Sequence, residues 1–308
     1  MANTLWVEAY RPKTVEDYVW QNGSQRNTVM GWIEQKAIPH LLFSGSPGTG
    51  KTTLAKILIN QLGISNYDLL EINASRDNSV ENVRNVVTGF VSTMPFGDYK
   101  IVLLDEADYL SHNAQSVMRG LMETYSESAR FILTCNYPNK ILPALHSRCQ
   151  GFHIDNVDET EFTARIANIL IQESVEFDID VLDSYVKATY PDLRKCINLV
   201  QLNSPGKVLV MPDSKSASTS DFKLDAVNLF KQGKVREARE LICSQIRTDE
   251  IEELFRWSYD NLGLWSKTEA GQDKAILVIR TGLVNHALVA DPEINLSATL
   301  VELSQIDQ

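Results

Sequence analysis

Hydrophobic residues are spaced in two ways along this chain, and the change from one to the other divides it. In the first half, short apolar-rich runs lie at 41–43, 67–72, 100–104, 130–135 and 151–154. Short runs of this kind read as strands buried on both faces. Between them, apolar residues recur every three or four positions at 24–36, 52–62, 80–90 and 113–125, the period of an amphipathic helix. Strands alternating with helices predict an α/β fold: a doubly wound parallel sheet with its ligands at the carboxyl ends of the strands. From residue 156 the strand pattern stops. Helical patterns follow at 158–174, 178–189 and 192–203, then a Ser-rich polar stretch at 211–221, then helical patterns from 222 and at 234–246, 249–262, 271–288 and 293–305. The predicted organisation is an α/β domain at 1–155, a small helical domain at 156–210, a linker at 211–221 and a C-terminal all-α domain at 222–308.

The same spacing predicts which residues face inward. On the 80–90 helix these are Val80, Val83, Val86, Val87 and Phe90, with Arg84 on the polar side. On the 113–125 helix, Ala114, Val117, Met118 and Leu121 form the apolar stripe. Gln115, Arg119 and Glu123 recur at i, i+4 and i+8 on another face, read either as a solvated stripe or as a polar line facing a neighbour or DNA. The turn Met94-Pro95-Phe96-Gly97 is predicted to fold its two large apolar side chains back on the core. Residues 6–18 read as a loop with exposed aromatics.

Chemistry enters at Gly45-Ser46-Pro47-Gly48-Thr49-Gly50-Lys51-Thr52, followed by Thr53. The spacing is that of a phosphate-binding loop, and it lies between a predicted strand and a predicted helix, the context the motif requires. Gly45, Gly48 and Gly50 let the backbone curl so that its N–H groups face a phosphate, and the following helix adds its N-terminal dipole. Lys51 supplies a mobile positive charge and Thr52 a hydroxyl for Mg²⁺. The 100–104 strand runs into Asp105-Glu106-Ala107-Asp108, which supplies the second half of such a site. Asp105 can bind Mg²⁺, and Glu106 can orient or deprotonate an attacking water. Asn136 ends the next strand, within reach of a terminal phosphate, and Ser147-Arg148-Cys149 follows.

Composition narrows the classes. Hydrophobic residues make up 44% and charged residues 22%, an ordinary globular balance, and no apolar run approaches the roughly 20 residues of a membrane span. The N-terminus has no basic segment followed by an apolar core, and a cytoplasmic location is expected. The four cysteines, Cys135, Cys149, Cys196 and Cys243, show no C-x-x-C spacing, which argues against a zinc site or a disulfide framework. Lys and Arg number 29 against 40 Asp and Glu, a net charge of −11. That field opposes indiscriminate DNA binding, so any nucleic-acid contact must come from a few placed cations. The five histidines are scattered and read as structural or surface residues.

These motifs together resemble the AAA+ clamp-loader ATPases: the small subunits of replication factor C and, more closely, the large subunit of the T-even-type phage clamp loader. The likeness rests on Glu8-Ala9-Tyr10-Arg11-Pro12-Lys13-Thr14, the phosphate loop, Leu104-Asp105-Glu106-Ala107-Asp108, Thr134-Cys135-Asn136, Ser147-Arg148-Cys149 and Pro191-Asp192-Leu193-Arg194. It implies an ATPase that opens a sliding clamp and loads it on primer–template DNA during replication. ATP and Mg²⁺ are the implied cofactors. The implied partners are further copies of the chain and a distinct subunit in a five-membered ring, with the clamp and the DNA, in the host cytoplasm if phage-encoded. It implies Tyr10, Arg11 and Pro12 by the adenine, Asn136 and Arg194 as sensors of the chain's own ATP, and Arg148 as a finger acting in trans on a neighbour's. Arg84 and Arg119 become candidate DNA contacts, Gln115 a candidate link from the DNA face to the Asp105-Glu106 strand, and the Met94-Pro95-Phe96 turn lies near a clamp-facing edge. The helices of 156–210 correspond to a lid and those of 222–308 to an oligomerising collar. The chain departs from the family pattern at Trp20, where Gly is usual before Gln21, and in the loop at 73–80. The alternative is another AAA+ DNA motor, for branch migration or unwinding. A scaffold that binds ATP without hydrolysing it ranks below both, because Lys51, Glu106 and Asn136 are all present.

Overall fold

The structure, a computed structural model, describes residues 5–76, 80–154, 157–211, 222–246, 250–286 and 288–306, without the side chains of Asn82 and Lys231. All but the first residue of the 211–221 stretch, and positions 77–79 of the 73–80 loop, lie outside the described residues. The contacts divide the chain into two compact units, Met1–Phe162 and Thr163–Gln308.

The first unit is built on a five-stranded sheet with all strands parallel: β1 (Leu41–Ser44), β2 (Leu69–Asn73), β3 (Lys100–Asp105), β4 (Ala129–Cys135) and β5 (Gln150–His153), in the spatial order 2-3-4-1-5. Side chains alternate across each strand, so the apolar runs feed two cores. Leu41, Phe43, Ile101, Leu103 and Ile132 face one side, with Leu54, Leu58 and Trp32. Leu42, Val102, Leu104, Phe131 and Leu133 face the other, with Val83, Val87 and Met118. The first core is covered by α2 (Gly23–Gln35) and α3 (Lys51–Gln61), and the second by α4 (Val80–Val91) and α5 (His112–Thr124). Short helices α1 (Trp6–Ala9) and α6 (Pro143–His146) complete the unit.

Several predicted exposures change. Tyr18 is buried, where exposed aromatics were expected. Trp20 is buried beside it, its ring edge-on to Tyr18 at 4.7 Å. Val86 is exposed. The inward line of α4 is Val83, Val87 and Val91, and Val86 sits about 100° round the helix from Val87. Gln115 is buried. Positions four apart drift about 40° per step, so the line from Gln115 to Arg119 and Glu123 starts in the core and ends in solvent. Met94 and Phe96 are 88% and 81% exposed rather than folded on the core. The backbone explains this. The Phe96 and Gly97 N–H groups donate to the two oxygens of buried Asp68 at 2.9 and 2.8 Å, and buried Lys100 donates to the Phe90 carbonyl at 2.9 Å. The polar backbone is turned inward, so the side chains of the turn point out.

The second unit is helical: most of α7 (Glu159–Gln172), then α8 (Ile179–Thr189), α9 (Leu193–Leu202), α10 (Phe222–Lys231), α11 (Val235–Gln245), α12 (Ile251–Asp260), α13 (Glu269–His286) and α14 (Pro292–Ser304). Asp178, Asp192 and Asp291 cap α8, α9 and α14 by accepting first-turn N–H groups, as short acceptors do at helix starts. Within this unit the Trp257 indole on α12 donates to the Lys187 carbonyl on α8 at 3.0 Å. Close crossing of α13 by α14 requires Gly282, because a Cβ there would lie 2.5 Å from Thr299 Oγ1 and 2.8 Å from a Phe255 ring atom.

Candidate nucleotide site

The loop that joins β1 to α3 is shaped by its glycines. Gly45 has φ +148°, and a Cβ on it would stand 1.8 Å from the Ile154 carbonyl oxygen. Gly50 has φ +93°, and its Cβ would stand 3.0 Å from the Tyr18 ring. Tyr18, which sequence reasoning left without a role, supports the loop from below, with its hydroxyl donating to the Thr49 carbonyl at 3.3 Å. Burial raises its pKa, so the phenol remains a donor. Thr49 Oγ1 closes the loop by donating to the Ser46 carbonyl at 2.8 Å. The N-cap of α3 is Gly50, which has no side chain to fill the first N–H groups. Those donors and the helix dipole face the loop as an anion site.

Lys51 is 8% exposed rather than mobile in solvent. Its ammonium donates to the Gly45 and Ser46 carbonyls at 2.9 and 2.7 Å. A buried ammonium with three donors must find acceptors, and the loop's own carbonyls supply them.

Thr52 and Asp105, the predicted metal pair, meet: the Thr52 hydroxyl donates to Asp105 Oδ1 at 2.7 Å. Thr134 Oγ1, on β4, donates to the same oxygen at 2.6 Å and accepts the Glu106 N–H at 3.0 Å. Glu106 itself has φ +57°, left-handed for a residue with a Cβ. This donor set fits Mg²⁺, which takes one or two protein oxygens and completes its shell with water and phosphate. Among the described residues no group of three His, Cys, Asp or Glu side chains could hold a metal by itself.

Asp108 is the second residue that sequence reasoning left without a role. It is buried, and its Oδ2 accepts the Asn136 and Tyr137 N–H groups at 3.3 and 3.2 Å, pinning the backbone of the candidate sensor at the tip of β4. The thiol of neighbouring Cys135 is raised to about 12, first by its own burial and then by the Asp108 charge, with Lys51 pulling the other way. The signal for Thr134 was present, a polar residue set among apolar ones near the end of a strand, whereas Asp108 lies in the turn after β3, behind two other acids, and carried no such signal. Gln115 ties α5 to the segment after β4, donating to the Leu110 and Lys140 carbonyls at 3.1 and 3.0 Å and accepting the Leu142 N–H at 2.8 Å.

The other predicted residues have local surroundings of their own. Arg11 is ion-paired with Glu8 at 2.8 Å on the surface, a contact of little energetic weight. Arg148, after α6, donates to the Ala144 carbonyl at 2.7 Å and pairs with Glu123 on α5. Arg84 and Arg119 are exposed on α4 and α5, helices that pack side by side. Arg194 is exposed in the first turn of α9, in the second unit, behind an Asp192 whose pKa is raised by burial.

Residues 41–155 match the model of the ATPase family associated with various cellular activities. The replication factor C small subunit of Sulfurisphaera tokodaii is 36% identical over 97% of this chain and 95% of its own length. That of Methanococcus vannielii is 32% identical over 98% of this chain and 99% of its own. These relatives are archaeal and lend no support to a phage source. Among solved structures, the RuvB Holliday junction branch migration motor of Thermotoga maritima aligns with a TM-score of 0.53 at 17% identity, over 63% of this chain and 65% of that one. A likeness that remote reports the shared fold and gives no support to a branch-migration activity. Near-full-length identity to the replication factor C proteins, together with a phosphate loop backed by Asp105 and Glu106, identifies this ATP-hydrolysing chain as a member of the replication factor C small-subunit family of AAA+ clamp-loader ATPases.

Proposed function

We propose that the chain is one of five subunits in a ring that opens a sliding clamp and closes it on primer–template DNA, in the cytoplasm. Lys51 and the loop from Gly45 to Thr53 hold the phosphates of ATP, Thr52 and Asp105 hold Mg²⁺, and Glu106 orients the attacking water. Asn136 and Arg194 sense the bound nucleotide, and Tyr10, Arg11 and Pro12 flank the adenine. Arg148 serves the ATP of the adjacent subunit. The observation that carries the hydrolytic part is the meeting of Thr52 and Asp105 at 2.7 Å beside Glu106, a metal-ready pair next to a carboxylate of the right chemistry.

Binding ATP would draw subunits together through Arg148, and DNA in the channel would then trigger hydrolysis and release. Exposed Arg84 and Arg119 suit phosphate contacts, which read backbone and shape rather than sequence. Exposed Met94 and Phe96, with Tyr67 against Phe96 at 5.4 Å, suit an apolar contact with the clamp. Lid helices at 156–210 and collar helices at 222–308 complete the reading, the collar supported by exposed Leu277, Leu283 and Val284 on α13.

The test is the ATPase rate of the assembled complex with and without clamp and primed DNA. Strong stimulation when both are present is expected. A rate indifferent to them, or robust strand displacement in their absence, overturns the reading.

A further inference from the structure

We propose that Thr134 is a positioning residue for ATP hydrolysis, its single hydroxyl setting the candidate metal ligand Asp105 and the candidate water-orienting Glu106 at once. The inference rests on the roles proposed above for those two acids.

Strand pairing explains why a side chain is needed here. The β3–β4 ladder runs from Lys100↔Ala129 to Leu104↔Leu133, where regular pairing ends. Beyond it the chain must turn sharply to bring Glu106 to the strand tip, and it does so in the left-handed region at φ +57° and ψ +44°. A residue with a Cβ stays in that region only when its surroundings hold it there. The Glu106 N–H, having left the ladder, is taken by Thr134 Oγ1 at 3.0 Å.

The same oxygen carries a proton that it donates to Asp105 Oδ1 at 2.6 Å. A hydroxyl has one proton, so its orientation is determined: the proton goes to the carboxylate, and a lone pair faces the amide. Thr134 is 1% exposed, so water cannot readily take its place. Asp105 Oδ1 also receives the Thr52 hydroxyl at 2.7 Å. When Thr52 turns its oxygen toward a metal, Thr134 keeps that carboxylate aimed. One side chain of β4 therefore holds together the loop-side pair and the acid of β3.

Two substitutions separate this role from packing. Thr134→Val keeps the volume and removes both hydrogen bonds; Thr134→Ser keeps the hydroxyl and removes a methyl. In the assembled loader with clamp and primed DNA, Thr134→Val is expected to lower kcat about tenfold or more while KM for ATP changes less than about threefold. Thr134→Ser is expected to stay within about threefold of the parent on both. A second readout needs no turnover. Binding of a fluorescent ADP analogue, titrated with Mg²⁺, should require severalfold more Mg²⁺ for half-saturation in Thr134→Val than in the parent. Circular dichroism melts establish folding; were the valine variant unfolded, Thr134→Ala takes its place in both assays.

Unchanged kcat in the hydroxyl-free variant, or a serine variant as impaired as it, overturns the inference. Glu106→Gln is measured alongside. If it hydrolyses ATP at the parent rate, the assignment of Glu106 itself fails. If it is dead while Thr134→Val turns over normally, the inference about Thr134 alone fails.

Discussion

At the residue scale, the site is a set of backbone and hydroxyl positions that tolerate little change. Gly45 shows this most directly. Its φ of +148° and the 1.8 Å approach of the Ile154 carbonyl leave no room for a Cβ. Because the obstacle is backbone, the loop must move to admit one. Gly45→Ala is expected to cost about 2 kcal/mol or more of stability and to weaken ATP binding, seen in urea melts and nucleotide titrations. Stability equal to the parent's would contradict this geometry. His40 offers a pH test. Its Nδ1 accepts the Phe131 N–H at 3.1 Å. Burial first, then the Arg130 charge, lowers its pKa from 6.5, against a smaller opposing effect of the Met122 backbone. The unfolded chain then binds the proton more readily than the folded one. The neutral-histidine contribution is therefore present above about pH 6.5 and lost as pH falls. Compared with His40→Asn, the parent should lose more stability between about pH 8 and about pH 5.5. Parallel losses in urea unfolding would show that His40 is not the group responsible.

Among the elements, α4 and the turn after it show how a buried polar framework can expose apolar side chains. Asp68 takes two turn N–H groups and Lys100 takes the helix-end carbonyl of Phe90, which is favourable at the negative end of a helix. Met94 and Phe96 gain little from burial in the free chain. Replacing both with Ala should change stability by less than about 1 kcal/mol, yet remove most of the clamp-dependent stimulation of ATPase while leaving the basal rate alone. A double variant that responds fully to the clamp would take this turn out of the partner contact. The helix α5 carries a different link. Gln115 at its start is bonded to the segment after β4, and Glu123 at its end is paired with Arg148. Exposed Arg119 lies between these two contacts.

For the molecule as a whole, two predictions concern assembly. Arg148→Ala should bind ATP with the parent's affinity and lose turnover at least about a hundredfold in the ring. Mixing it with a Lys51→Ala chain should restore part of the activity, because an intact finger then faces an intact loop; no recovery in mixed assemblies would place the action of Arg148 within its own chain. The net charge of −11 confines DNA contact to local cations. DNA-stimulated ATPase should fall steeply between about 50 and about 200 mM salt, and stimulation indifferent to salt would exclude a channel that tracks phosphates.

Much of this protein was legible in its sequence, for a physical reason. A strand buried on both faces must be apolar throughout, and a phosphate loop must have glycine wherever φ is positive. The central strands β1, β3 and β4, the helices between strands, the loop from Gly45 to Thr52, and Asp105 with Glu106 follow from such local rules, whereas the edge strands β2 and β5 are partly exposed and carry Glu71, Gln150 and His153. The tertiary structure decided what depends on partners distant in the chain. Tyr18 supports the loop because the fold brings it under Thr49. Lys51 is buried because the loop closes over it. Met94 and Phe96 face outward because Asp68, on another element, takes the N–H groups of their turn. Thr134 holds the two acids because β4 lies beside β3 with one particular register. Hydrophobic period describes one element at a time, whereas a hydrogen bond between two strand tips depends on which strands are neighbours and where their ladder ends.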